Sequence, residues 1–284
     1  MGNLTDPRYI RALCEKYNFR LKKALGQNFL HDRSVLDAIV EAAVPNGGGA
    51  LEIGPGFGVL TEALAQSAEK VVAIEIDTQL LPVLSETLAA CPNTEIVSGD
   101  VLKLNLPALI EEKFGDMPVS VAANLPYYIT TPILLALLSQ NLPFSRIVVM
   151  MQKEVADRIM ASPGGKDYGA LTVAVQYRCD VKRVCRVPAS SFIPPPKVDS
   201  EVLCLTRREV PLVTPRDEAH FFALVKAVFA QRRKTLVNGL TNAGRFGSKE
   251  EVSAAVEAMG LSPTVRGETL SIEALAALSD ALLK

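Results

Sequence analysis

Between residues 50 and 161, short apolar runs alternate with longer segments in which apolar residues recur every three or four positions. A short apolar run is typical of a buried strand, and a period of 3.6 residues is typical of a helix. Their alternation predicts an α/β fold with a doubly wound, mostly parallel sheet. The predicted strands are 50–53, 71–76, 94–98, 119–123 and 146–151, and the predicted helices are 59–67, 79–90, 132–139 and 154–161.

The pattern changes on both sides of this section. Residues 182–187 and 202–207 have strand character with no helical pattern between them, which predicts an antiparallel edge on the sheet. Helical periodicity then returns over 218–230, 234–241, 250–259 and 272–283. We therefore expect three parts: a basic N-terminal leader (1–23) that is helical over 6–17, a Rossmann-like α/β domain (24–210), and a small all-α domain (211–284).

A glycine-rich turn follows the first predicted strand. Residues 51–58 read LEIGPGFG, and the next predicted strand ends at Glu75, which lies 19 residues after Gly56. Strand, glycine turn and helix form a nucleotide-binding arrangement, and an acidic side chain about 20 residues further on accepts ribose hydroxyls. A dinucleotide pattern starting at Gly54 requires glycine at position 59, where this chain has valine. The motif resembles that of S-adenosylmethionine (SAM) methyltransferases, although a dinucleotide site and a purely structural turn remain open at this point.

The tetrapeptide 124–127, NLPY, follows the predicted strand 119–123. The amine of adenine is a poor nucleophile, and a site that methylates it must accept its two N–H bonds. The Asn124 side-chain oxygen and the carbonyl of Leu125 or Pro126 can accept them, and Tyr127 can stack on the base. Such catalysis depends on positioning and electrostatics rather than on a strong base. A simple Asn-x-Pro turn is the structural alternative.

Other candidates lie at strand ends and in the later segments. Asp100 follows Gly99 at the end of the predicted strand 94–98, and it can accept the amine of a cofactor adenine or cap a helix. Because ligands bind at the carboxyl ends of parallel strands, we expect Gly54, Glu75, Asp100 and Asn124 to face one crevice. Phe192 precedes three prolines and can stack on a base or pack in the core.

Charge is distributed unevenly along the chain. The formal net charge is −1, but residues 31–140 carry 4 basic and 14 acidic groups, whereas residues 141–247 carry 17 and 9. Arg232, Arg233 and Lys234 are adjacent within the basic section and form either a phosphate-binding patch or a solvated surface. The basic sections, 1–30 and 141–247, would hold a polyanion across the mouth of a site in the acidic section. The alternative is that the asymmetry is only chance surface charge.

Composition excludes several classes of protein. Apolar residues make up 49% of the 284 positions and charged residues 21%, as in ordinary globular proteins. The five cysteines form no C-x-x-C pair and only two histidines are present, which predicts neither a disulfide framework nor a metal site. We expect a cytoplasmic protein without a membrane segment.

The ordered set of motifs resembles the ribosomal RNA adenine dimethyltransferase family, and most of all its small-subunit, kasugamycin-sensitivity branch. The motifs are GQNFL at 26–30, EIGPGFG at 52–58, EID at 75–77, NLPY at 124–127, QKE at 152–154, FIPPPKVDS at 192–200 and QRRKTL at 231–236. The resemblance covers roughly residues 20–280.

The resemblance implies SAM-dependent N6,N6-dimethylation of two adjacent adenosines near the 3′ end of 16S ribosomal RNA, in an immature 30S subunit, by a monomer without a metal. Residues 24–210 would bind SAM, and 211–284 would bind RNA or the ribosome. The implied SAM contacts are Asn28, Leu30, Gly54, Glu75, Asp100 and Asn124, and the implied adenine contacts are Asn124, Pro126, Tyr127 and Phe192.

Two rival functions remain at this point. One is dimethylation of 23S ribosomal RNA, as in the large-subunit branch of the same family. The other is a mainly non-catalytic role as a checkpoint in ribosome assembly. The amino-acid sequences of 192–200 and 231–236 favour the small-subunit branch.

Overall fold

The computed structural model describes residues 2–19, 26–139 and 142–283, and it divides into two compact units. The first unit comprises Met1–Ala156 and Val181–Arg207, and the second comprises Asp157–Asp180 and Arg208–Lys284. Residues 157–180 therefore group with the C-terminal helices rather than with the α/β part. The end of the basic leader, residues 20–23, lies outside the described residues, and the predicted limits of the functional domains stay predictions.

Most strands lie in the first unit. In chain order they are β1 (Phe29–Leu30), β2 (Gly49–Ile53), β3 (Lys70–Glu75), β4 (Thr94–Ser98), β5 (Val119–Asn124), β6 (Phe144–Gln152), β7 (Cys179–Val187), β8 (Phe192–Ile193) and β9 (Ser200–Arg207). Seven of them form a sheet in the order β4-β3-β2-β5-β6-β9-β7. Neighbouring strands among β2 to β6 are parallel to each other, and β9 is antiparallel to β6. The predicted mostly parallel sheet with an antiparallel edge is confirmed.

The helices of the first unit surround this sheet. They are α1 (Pro7–Lys16), α2 (Arg33–Ala43), α3 (Val59–Ala65), α4 (Leu81–Thr87), α5 (Leu106–Phe114) and α6 (Thr130–Ser139), and α7 (Lys153–Ile159) begins in this unit. The predicted helix 79–90 is a 3₁₀ turn, Thr78–Leu80, followed by the shorter α4. Helix α5 was not predicted. Asn105 caps it by accepting a hydrogen bond from the Ala108 amide at 3.3 Å.

A short ladder joins two distant parts of the sequence. Strands β1 and β8 pair in antiparallel, with Leu30 opposite Phe192. Both side chains belong to the core of the first unit, as do Ile10 and Leu13 of α1. The described part of the leader is therefore packed against the α/β domain through apolar contacts.

The second unit is helical. Its helices are α8 (Ala170–Gln176), which was not predicted, and α9 (Glu218–Ala230), α10 (Leu236–Asn242), α11 (Lys249–Ala258) and α12 (Ile272–Ala281). They pack around a core that includes Phe221, Leu240, Val252 and Leu275. The prediction of a helical C-terminal part is confirmed.

Asp32 fixes the start of α2 and also reaches the segment before β8. Its Oδ1 accepts a hydrogen bond from the Ser34 amide at 3.1 Å, and its Oδ2 accepts one from the Ser191 hydroxyl at 2.9 Å. Hydrogen bonds from Ser34 and Ser191 keep the pKa of Asp32 below its usual value. A carboxyl with a lowered pKa in the fold contributes stability above its unfolded pKa, and this contribution is lost as pH falls through the folded value.

We expect Asp32→Ala to lower the free energy of unfolding by about 1 kcal/mol at pH 7, because an N-cap and a link to Ser191 are lost. The deficit should shrink below about pH 4, where the wild-type carboxylate protonates. Urea unfolding at several pH values measures both effects. Asp37→Ala is the matched control, since its exposed ion pair with Arg33 at 2.9 Å contributes little. Equal losses in the two variants would contradict the assignment.

Candidate functional site

The strand register brings the candidate residues to one edge of the sheet. Ile53 of β2 lies opposite Ile74 of β3 and also opposite Ala123 of β5. The next residues along the chain, Gly54, Glu75 and Asn124, therefore lie side by side at the carboxyl ends of these strands. Sheet order reverses between β2 and β5, and such a switch point is where open α/β sheets bind ligands.

A cavity opens at this switch point, and we call it the cleft. Its walls are the segment 26–30, the loop 52–57 and the carboxyl ends of β3, β4 and β5 with the residues that follow them. The empty space within it, counted together with the open solvent at its mouth, is about 1120 Å³. Asn28, Leu30, Gly54, Glu75, Asp100, Asn124, Pro126 and Tyr127 all line it. The expectation that Gly54, Glu75, Asp100 and Asn124 face one crevice is confirmed.

The glycine turn leaves room beside its backbone. Gly54 has φ of +73°, and a Cβ built there would meet no atom within 4 Å. Gly56 has φ of +60°, and a Cβ there would lie 2.9 Å from the Phe29 ring. Glycine at 54 therefore leaves open space in the cleft, while glycine at 56 allows close packing against β1.

Glu75 holds the turn and is buried in the cleft wall. Its Oε2 accepts a hydrogen bond from the Gly56 amide at 3.3 Å, and its Oε1 accepts one from the Asp77 amide at 2.7 Å. Burial raises the pKa of this carboxyl, although the two amides oppose the shift. Each carboxylate oxygen can accept more than one hydrogen bond, so these contacts leave capacity for a ligand hydroxyl.

Glu52 is a cleft residue to which the sequence analysis assigned no role. It is 1% exposed, and its Oε2 has no hydrogen-bond partner among the described residues. Burial, with a smaller effect from the charge of Glu75, raises the pKa of Glu52 to about 8. A buried carboxyl oxygen without a hydrogen-bond partner is costly, and it is best satisfied by a hydrogen-donating or cationic ligand. An acidic residue within an otherwise apolar strand was the sequence signal for this site.

Asn124 is held in a defined orientation. Its Nδ2 donates a hydrogen bond to the backbone carbonyl of Asn28 at 3.2 Å. The Asn28 side chain in turn donates to the Gly26 carbonyl at 3.1 Å. This arrangement assigns the donor side of the Asn124 amide to the protein and leaves Oδ1 as an acceptor on a cleft residue.

The residues after Asn124 differ in what they offer a ligand. The Pro126 carbonyl already accepts hydrogen bonds from the Ile129 amide and the Thr130 hydroxyl, both at 3.1 Å. Of the two carbonyls considered from sequence, that of Leu125 is therefore the better acceptor for a substrate amine. The Tyr127 hydroxyl lies 2.7 Å from the Ser200 hydroxyl, which fixes the ring, and burial raises the Tyr127 pKa.

Asp100 and Phe192 also make structural contacts. Asp100 Oδ1 accepts a hydrogen bond from the Leu102 amide at 3.0 Å, so it stabilises a turn while lining the cleft. Phe192 is 2% exposed and is not among the cleft residues, because it packs in the core next to β1. Stacking of a base on Phe192 would require its ring to be uncovered, and this role stays a prediction.

The three adjacent cations lie in the second unit, outside the cleft. Arg232, Arg233 and Lys234 are exposed in the turn between α9 and α10. Helix α10 begins only after Thr235, whose hydroxyl accepts a hydrogen bond from the Asn238 amide at 3.3 Å. The cations therefore project from a turn at the edge of a helix, and their contact with RNA stays a prediction.

Within the described residues, no group of three or more His, Cys, Asp or Glu side chains is placed to hold a metal ion. No helix in the same part of the chain has the length and apolar character needed to span a membrane.

The comparisons with known proteins agree on one family. The sequence matches the family described as "Ribosomal RNA adenine dimethylase" over residues 18–281. It is 51% identical to "Ribosomal RNA small subunit methyltransferase A" of Geobacillus thermodenitrificans, covering 99% of this chain and 97% of that protein. The protein of the same name from Bacillus cytotoxicus is also 51% identical, with 100% and 98% covered.

Solved structures extend the similarity to the fold. A dimethyladenosine transferase from Plasmodium falciparum is 29% identical, with a TM-score of 0.74 and coverage of 88% of this chain and 95% of that one. The 23S rRNA methyltransferase ErmE is 28% identical, with a TM-score of 0.67 and coverage of 90% and 99%.

The raised pKa of Glu52 predicts a pH dependence of stability. A carboxyl whose pKa is higher in the fold favours folding below its unfolded pKa, near 4.5, and this contribution is lost as pH rises towards about 8. We expect Glu52→Gln, which cannot ionise, to become more stable relative to wild type by about 1 kcal/mol or more between pH 5 and pH 8. Urea unfolding of both proteins at the two pH values tests this. A difference in stability that does not change with pH would show that Glu52 is not protonated in the fold.

Proposed function

The chain belongs to the ribosomal RNA adenine dimethylase family, and on that premise we propose that it N6,N6-dimethylates two adjacent adenosines near the 3′ end of 16S ribosomal RNA. The orientation of Asn124 is the observation that carries this proposal at the level of chemistry. Its amide donates to Asn28, which leaves a fixed acceptor oxygen at the strand switch point. A fixed acceptor is what an adenine amine requires.

The substrate is the RNA of the immature 30S subunit. Relatives that are about half identical over their whole length carry the name of a small-subunit methyltransferase, which supports this choice. All residues assigned to the cleft lie in the first unit of one chain, which supports action as a monomer. The enzyme would act in the cytoplasm, where its substrate is assembled.

The cleft fits S-adenosylmethionine as methyl donor. The open space beside Gly54 accommodates a ligand against the backbone, and the unpartnered Oε2 of Glu52 is matched by a cationic group. Glu75 would accept the ribose hydroxyls, and Asp100 the cofactor's adenine amine. Asn28 and Leu30, from the opposite wall, would complete the contacts with the cofactor. When bound, S-adenosylmethionine supplies a methyl group activated by a positively charged sulfonium.

The chain's own residues position the adenosine. Asn124 Oδ1 accepts one N–H of the adenine amine, and the Leu125 carbonyl accepts the other, so that the nitrogen lone pair is directed at the methyl group. Pro126 has no backbone N–H that could compete for the amine lone pair. Tyr127, fixed by Ser200, provides a face for the base, while Phe192 contributes only if its ring is uncovered. No strong base is needed, because a methylated amine loses its proton readily.

A second candidate substrate is 23S ribosomal RNA. The observation in its favour is the structural similarity to a 23S rRNA methyltransferase, with a TM-score of 0.67. The discriminating assay offers the protein unmethylated 30S particles and, separately, naked 23S RNA, and identifies the modified nucleoside by mass spectrometry. N6,N6-dimethyladenosine in 16S RNA is the expected product, and methylation of 23S RNA alone would overturn the proposal.

Asn124→Ala should slow methyl transfer by about 100-fold or more, since a hydrogen bond that matters most in the transition state is removed. The measurement is single-turnover methylation of 30S particles at saturating SAM. Calorimetric titration with SAM shows whether the variant still binds its cofactor, since removal of the link to Asn28 can loosen that wall of the cleft. Asn46→Ala, in an exposed loop, is the matched control and should behave as wild type. Near-normal turnover by Asn124→Ala would refute the mechanism.

Replacing Arg232, Arg233 and Lys234 together by alanine should weaken binding to 30S particles without affecting SAM affinity. Each phosphate that is no longer neutralised by a cation should reduce the slope of log K against log salt by about 0.7 to 0.9. The slope is measured by titrating binding across a range of salt concentrations.

The control for this variant removes the same charge elsewhere in the second unit. Lys166, Lys226 and Lys249 are exposed and scattered, and their joint replacement by alanine changes the net charge equally. A smaller change in slope for the control indicates local phosphate contacts. Equal changes in slope for the two triple variants would mean that 231–236 contributes only to the overall electrostatic field of the protein.

A further inference from the structure

The two consecutive tyrosines of the cleft differ in their surroundings. Tyr127 is tied by its hydroxyl to Ser200 at 2.7 Å. Tyr128 lines the same cleft, yet it is 58% exposed. Large aromatic side chains are mostly buried, so an exposed one at the mouth of a binding cavity suggests a contact with a ligand.

Tyr128 differs from the other aromatic residues of the cleft. In the described chain the cleft is lined by four of them, Phe29, Phe57, Tyr127 and Tyr128. The two phenylalanines are at most 9% exposed, and their rings pack against each other at 4.4 Å between centroids. Phe192, the second stacking residue expected from sequence, is buried away from the cleft. Tyr128 therefore presents the most exposed aromatic ring at this site.

The position of the Tyr128 ring is defined by the opposite wall. A Cβ built on Gly26 would lie 3.5 Å from Tyr128 Cδ1 and 3.5 Å from Pro126 Cβ. The backbone at Gly26 thus lies close to the ring, next to the residue that follows Leu125. This places the exposed Tyr128 ring beside Pro126, next to the proposed adenine position.

We infer that Tyr128 forms a second stacking subsite, for the nucleobase next to the adenosine that occupies the cleft. This inference rests on the proposed function. An adenosine that enters the cleft must be unstacked from its neighbours, which leaves a neighbouring base with an uncovered face. Every base has such a face, and aromatic side chains bind it without regard to sequence.

The subsite would act during methylation of one of the two adenosines. Because the two targets are adjacent, the neighbour of each one is the other, but it lies on the 3′ side of the first and on the 5′ side of the second. A ring fixed on one side of the cleft would therefore hold the neighbouring adenosine while one of the pair is methylated. It would therefore influence RNA binding and completion of the pair, but not affinity for SAM.

The first test compares Tyr128→Ala with Tyr128→Phe, which keeps the ring and removes only the hydroxyl. We expect Tyr128→Ala to raise KM for unmethylated 30S particles about tenfold or more, with SAM affinity unchanged by calorimetry and more particles methylated on one adenosine only. Tyr128→Phe should stay near wild type. Leu135→Ala, an exposed apolar residue of α6 outside the cleft, is the control.

The second test uses fluorescence and does not depend on turnover. The chain contains no tryptophan, so Tyr128→Trp introduces a single reporter that still has an aromatic face. Stacking on a base should quench its emission when 30S particles are added, and SAM alone should leave it unchanged.

The outcomes separate the alternatives. Weaker SAM binding by Tyr128→Ala, or quenching of Tyr128→Trp by SAM alone, would place the ring on the cofactor and overturn the inference. Unchanged kinetics in Tyr128→Ala, with no quenching by 30S particles, would also overturn it. If the wild-type protein fails to methylate 30S particles at all, the proposed function itself fails, before any variant is compared.

Discussion

The parallel register of three strands is the constraint on which this site depends. Ile53 lies opposite both Ile74 and Ala123, so that β2, β3 and β5 end at the same level. Gly54 and Asn124, which are 70 positions apart in sequence, thereby line one cleft. A shift of one residue in any of these pairings would turn alternate side chains to the opposite face and separate the acidic group from the amide.

The cleft combines two buried carboxyls with an uncharged amide. Glu52 and Glu75 are 1% and 4% exposed, and burial raises the pKa of both. This arrangement disfavours the ionised carboxyls in the free protein, and a cationic ligand would favour them. Active sites commonly retain such unfavourable groups because their cost is offset on binding. The amide of Asn124 is neutral by comparison and needs only correct orientation, which Asn28 provides.

The ladder between β1 and β8 connects the cleft to distant parts of the chain. Leu30 lines the cleft, and its ladder partner Phe192 is buried in the core of the first unit. Asp32 reinforces the same connection by capping α2 and accepting a hydrogen bond from Ser191. The wall formed by 26–30 is thus held by contacts with a segment about 160 residues further along the chain.

Sequence by itself determined the sheet class, most of its strands, the glycine turn and the acidic and amide residues at the strand ends, because these depend on local periodicity and on topology rules for parallel sheets. It missed α5 and α8, and it missed the two-residue strands β1 and β8, whose pairing has no local pattern. Only the tertiary structure decided that Phe192 is buried while Tyr128 is exposed, that the Pro126 carbonyl is already engaged, and which side of the Asn124 amide remains an acceptor. Each of these depends on what a side chain meets across the fold, which the sequence around that residue does not determine.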